Sequence, residues 1–283
     1  KVNLSSIKDV VPMEGSDLNG IITADINLKG RMSSIEKERY NEFDANGQII
    51  VMDMNYKSPD FPQGMNIKSM TMNFSPQFVE LEGFDCKIGR SDIQANGMIE
   101  NIMQYVFKDS LLQGTFSMRS TLLDLNEFMT EDETTTTATA DTSSLSIIEV
   151  PKNVDFILKS NLKKIIYDKV NMTDAEGSII IRDQKIIMSN LRMDLLQGSM
   201  VMNGNYSTQN PKVPSVDFDL NIADFDIPAT FKAFNTVQKL APIAKYATGK
   251  FSTSLSYSSK LNSDMMPDMK TMNGDGRLQT KSV

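Results

Sequence analysis

The sequence predicts a mostly β fold: a long, curved antiparallel sheet, a trough or half-barrel, built from internal repeats with a few short helices at its edges. Three observations carry this. First, the chain repeats itself. Gly20 and Gly47 stand 27 positions apart (47 − 20), as do Gly249 and Gly276 (276 − 249). With a shift of 229 Ile22, Ala24 and Ile26 fall on Phe251, Thr253 and Leu255. Self-similarity of this kind marks one supersecondary unit laid down repeatedly. Second, apolar and polar residues alternate with period two, most clearly where Val216, Phe218, Leu220 and Ile222 interleave with Asp217, Asp219 and Asn221. That period is the mark of a half-buried strand. Third, glycines stand singly beside these runs, and few windows have helical spacing.

In chain order, Ile22 to Leu28 alternates as a strand, and residues 32–42 are a polar crossing segment. A second strand follows Gly47, with Ile50, Met52, Met54 and Tyr56 in one phase. Pro59, Pro62 and Gly64 make a turn. Residues 67–74 and 78–88 then form strands about the Ser75-Pro76-Gln77 turn, and 89–98 continues the meander. Ile99, Ile102, Met103 and Val106 have helical spacing and predict a short helix. Leu112, Gly114, Phe116 and Met118 return to strand, and 122–129 ends this half with a helical turn.

Residues 130–148 begin TEDETTTTATADTSS, a low-complexity acidic stretch with almost nothing to bury. It reads as a linker or exposed loop between a first β-repeat region, 1–129, and a second, 149–283. Strands follow around Val154–Leu158, Ile179–Ile181, Ile187–Met193, Met200–Met202 and Val216–Ile222. A shift of 107 lays Gly97 on Gly204 and Phe84 on Leu191; a shift of 102 lays Phe116 on Phe218 and Asp124 on Asp226. Asp226 and Pro228 start a helix whose inner face is Phe231, Phe234, Val237, Gln238 and Ala241, with Pro242 ending or kinking it.

Composition narrows the chemistry. A net charge of −7 disfavours a nucleic-acid surface, which needs a basic stripe, and gives the whole chain no attraction to anionic headgroups. With no histidine, the Ser–His and Cys–His nucleophile pairs and histidine-ligated metals are excluded. The one cysteine, Cys86, lies in strand-like FDCKI and reads as a buried thiol. Asp217-x-Asp219-x-Asn221 opens like a calcium loop. It then has Ile222 where glycine is needed and Pro228 where the bidentate glutamate belongs, so it reads as a solvated strand face. No catalytic residue, cofactor or metal is expected.

The segments GRSDIQANGMIENIMQY (89–105), LLQGTFSMRSTLLDLNEFM (111–129), KAFNTVQKLAPIAKYATGKFSTSLSYSSKL (232–261) and MMPDMKTMNGDGRLQT (265–280) resemble the C-terminal region of large AsmA-family envelope proteins. The resemblance implies a periplasmic segment involved in outer-membrane biogenesis, held to the inner membrane by an anchor outside residues 1–283. It also implies similarity to bridge-like lipid-transfer proteins. The expected partner is a phospholipid or other acyl-chain lipid, with envelope proteins also possible. The alternative is a structural scaffold or protein-binding β module without lipid cargo. The candidate groove lining is Met200, Met202, Val216, Phe218, Leu220, Phe251 and Leu255. The twenty methionines suit either packing or a lipid-contacting surface, because the side chain is unbranched and adaptable.

Overall fold

The computed structural model describes residues 1–9, 15–31, 33–34, 39, 44–59, 61–128, 147–234, 237–238 and 241–281. Most of the predicted crossing segment 32–42 and most of the 130–148 stretch lie outside these residues. The rest is mostly β, as the alternation predicts. The strands are β1 (Val2–Asn3), β2 (Asp17–Lys29), β3 (Asp44–Ser58), β4 (Phe61–Phe74), β5 (Phe78–Ile88), β6 (Ser91–Glu100), β7 (Leu112–Ser120), β8 (Leu123–Asp124), β9 (Val154–Tyr167), β10 (Val170–Arg182), β11 (Lys185–Leu195), β12 (Gly198–Ser207), β13 (Ser215–Asp226), β14 (Lys250–Lys260) and β15 (Asn273–Lys281). Two short α-helices lie wholly within the described residues: α1 (Ile102–Lys108) and α2 (Ile227–Ala233).

Hydrogen-bonded neighbours follow chain order from β1 to β7 and again from β10 to β15. The chain divides into two compact units, residues 1–123 with 153–159, and 124–152 with 160–283.

In the first unit, directly opposed residues of antiparallel strands share a face. Ile22 faces Val51, Val51 faces Met70, Met70 faces Phe84, and Phe84 faces Ala95. Val51, Ile67 and Cys86 are the buried centre of this face, with Ile22, Ile49, Met54, Met65, Met70, Phe84 and Ile88 packed around them. The opposite face carries Gln48, Asn73 and Glu80, also directly opposed and hydrogen-bonded through Asn73.

One sequence phase is corrected. Ile50, Met52, Met54 and Tyr56 do not share a face. Asp53 has φ 48°, and the register between β2 and β3 slips there. The extra residue of a bulge reverses the alternation. Ile49, Val51, Met54 and Tyr56 therefore lie on the apolar side, while Met52 is turned away and 48% exposed. Gly20 accommodates the bulge from the next strand. Its φ is 125°, and a Cβ there would sit 2.5 Å from the Met54 Cα.

The repeats reappear as register. Ile22↔Val51, Ala24↔Ile49 and Ile26↔Gly47 in β2–β3 match Phe251↔Thr280, Thr253↔Leu278 and Leu255↔Gly276 in β14–β15. Leu81↔Gly97 and Phe84↔Ala95 match Met188↔Gly204 and Leu191↔Met202, with a register slip at the same place in each. Gly97 meets Phe116 as Gly204 meets Phe218. The facing glycine makes room for each phenylalanine ring, which covers the backbone that the glycine leaves bare. Asp124 accepts from Asn126 N at the start of the short 3₁₀ turn Leu125–Phe128, and Asp226 accepts from Ala229 N at the start of α2. These are two copies of one cap.

The helix predicted through Ala241 is interrupted. α2 ends at Ala233, and Phe234 is extended (φ −118°, ψ 111°). Helical bonds resume from Gln238 N to Phe234 O and from Ala241 N to Val237 O. A 3₁₀ turn, Pro242–Tyr246, follows.

Candidate functional site

The second unit places all seven predicted lining residues on one face. Across β11 to β15 the opposed residues form three rows. One row is Met193, Met200, Ile222, Thr253 and Leu278. The next is Leu191, Met202, Leu220, Leu255 and Gly276, and the third is Met188, Gly204, Phe218, Tyr257 and Gly274. Val216 lies on the same side opposite Tyr206, and Phe251 lies opposite Phe225. Leu191, Met193 and Ile222 complete rows that the predicted lining left partial.

Two bulges keep the rows apolar. Asn190 (φ 50°) falls in the slip between Met188 and Leu191, and Asp224 (φ 54°) falls between Ile222 and Phe225. Without the first, Leu191 and Met193 would point to the opposite side from Met188. Ile187, read from sequence in phase with Leu191, lies on the polar side opposite Asn205. Asn and Asp tolerate positive φ better than other non-glycine residues, which is why they occupy these positions.

Burial along the face is graded. At one end α2 lies over it. Ala233 packs against the buried cluster of Val170, Leu195 and Phe225, and Phe225 meets Phe251 edge-on at 6.0 Å between ring centroids. At the other end Tyr206 donates its hydroxyl to Ile148 O (3.0 Å), and Val150 N donates to Thr208 Oγ1 (2.9 Å). Ser259 and Leu261 are buried there. Between these ends Met200, Met202, Val216, Phe218 and Leu220 are half-buried, and Leu255 is 40% exposed. The middle is thus an apolar strip accessible to solvent, closed at both ends by the chain itself.

The other face is polar. Asp217, Asp219 and Asn221 oppose Ser258, Ser256 and Ser254, and Ser256 donates its hydroxyl to Asp219. All six except Ser258 are exposed. A hollow of about 570 Å³ opens on this side among Thr173, Asp194, Ser199, Asp224 and Lys250. The ammonium of Lys281 donates to Asp224 at 2.8 Å and holds its carboxyl below the usual value.

Reactive chemistry is sparse. Among the described residues no three acidic or cysteine side chains gather as metal ligands, and no helix is long and apolar enough to cross a membrane. Cys86 is 1% exposed. Burial, with the Asp85 charge beside it, pushes its thiol up from 9.0 to about 11. A thiol so placed is protonated at neutral pH and is a poor nucleophile. Comparison with models of protein families, with curated proteins and with solved structures gave no match.

Proposed function

We propose that this chain is a non-enzymatic lipid-handling segment that holds phospholipid acyl chains against its apolar strip. The proposal places it in the periplasm as an AsmA-like protein of outer-membrane biogenesis, tied to the inner membrane. The carrying observation is the set of rows through Met200, Met202, Leu220 and Leu255, in register and incompletely buried. Five strands at about 4.8 Å spacing make such a row about 20 Å long. That is comparable with one leaflet of a hydrocarbon core about 30 Å thick. Each CH₂ moved from water onto a dry lining gains about 0.8 kcal/mol. Similar neighbouring rows give similar weak sites, which suits movement along the strip better than capture in one deep pocket.

Native mass spectrometry of the purified chain, followed by organic extraction, tests the reading. Bound phospholipid is expected. A lipid-free protein that takes up none from detergent-solubilised phospholipid would overturn it and favour the scaffold alternative.

A further inference from the structure

The net charge of −7 is unevenly spread. From Ile227 to Ser263 the sequence has lysines at 232, 239, 245, 250 and 260 and no Asp or Glu. This window carries +5, so the remainder of the chain carries −12 (−7 − 5). The same window holds exposed large apolar side chains: Ile243 is 80% exposed, Tyr246 81% and Phe234 37%. Ile243 and Tyr246 stand three residues apart in the 3₁₀ turn Pro242–Tyr246, and that spacing stacks side chains on one side of a 3₁₀ helix. The Lys245 ammonium lies 5.8 Å from the centre of the Tyr246 ring, and Lys232 is exposed on α2 beside this turn.

Singly exposed apolar residues need no explanation. Here an aliphatic and an aromatic side chain share one side of a turn and are flanked by the exposed Lys232 and Lys245. We propose that α2 and the 3₁₀ turn form a docking surface for an anionic phospholipid bilayer. Ile243 and Tyr246 enter the headgroup region, and Lys232 and Lys245 meet the phosphates. Tyrosine suits that depth because its ring is apolar and its hydroxyl stays wet. Lysines near such a surface add attraction that salt screens. An acidic protein partner would also meet the lysines. It would leave Ile243 and Tyr246 without the apolar layer that a bilayer supplies.

This surface does not depend on acyl chains occupying the apolar strip, and its test is separate. The purified chain is floated with phosphatidylcholine vesicles and with vesicles containing added phosphatidylglycerol. Flotation with the anionic vesicles is expected, and it should fall as salt rises. The Ile243→Ser/Tyr246→Ser variant should lose at least about tenfold in partitioning. The Lys232→Gln/Lys245→Gln variant should lose about tenfold or more with anionic vesicles. All four side chains are exposed, and unchanged circular dichroism verifies that the variants fold. Failure of the parent chain to float, or parent-like flotation of either variant, would overturn the proposal. Bound lipid could still be found by mass spectrometry in that case.

Discussion

Phe225 and Leu255 lie on the same face of the same unit, yet truncating them should have unequal costs. Phe225 is 2% exposed, central to the cluster with Val170 and Leu195, and edge-on to Phe251. Phe225→Ala removes a whole ring from a closed site and leaves a cavity that α2 cannot fill without moving. The expected destabilisation is about 3–5 kcal/mol. Leu255 is 40% exposed in the middle of the strip, so Leu255→Ala removes methyl groups already partly in water and opens no closed cavity. Its expected cost is below about 1 kcal/mol. Urea unfolding followed by circular dichroism measures both. Amide hydrogen exchange should show lost protection in β13 and α2 for the first variant alone. Equal costs for the two substitutions would refute the claim that the strip is closed at its ends and open between them.

Three further outcomes follow from particular contacts. Gly20→Ala should destabilise by about 2–4 kcal/mol, because its Cβ would press on the Met54 backbone at a φ that suits glycine; urea unfolding would expose the error if the loss were negligible. Asp226→Ala should cost about 1 kcal/mol through loss of the cap on Ala229 N (2.8 Å), read as faster amide exchange in α2. The folded-state value of Cys86 is raised, so its contribution to stability is present below pH 9 and is lost as pH rises through about 11. A thiol reagent should leave Cys86 unmodified at neutral pH and label it fully in urea; rapid labelling of the native chain would contradict its burial.

Much of this architecture was legible because period-two patterning and repetition are local properties of a sequence. The match of Gly20 and Gly47 to Gly249 and Gly276 reappears in the register of two strand pairs. The start of α2 was visible in Asp226 and Pro228, since a carboxylate cap and a first-turn proline act within four residues. The phase errors have one cause. A bulge needs only a single Asp or Asn at positive φ, and Asp53, Asn190 and Asp224 look like any other polar strand residue. An Asp or Asn that interrupts an apolar alternation, followed by apolar residues in the opposite phase, was the available signal. The break at Phe234 was less legible, because its spacing fits a continuous helix and nothing local forces it out. The candidate strip was legible as a set of residues on one face. Its graded burial was not, because that depends on α2 and the 147–150 segment lying over its ends.

Adjacent residues of β13 allow the most direct test of the central claim. Leu220 is on the apolar strip between Met202 and Leu255, while Asn221 is on the polar face between Val201 and Ser254. A benzophenone amino acid is placed at each position in turn, and the chain is irradiated with phospholipid present and analysed by mass spectrometry. Phospholipid adducts at position 220 with few or none at 221 are the result expected. Equal labelling of the two faces, or adducts at 220 with protein alone, would contradict the account.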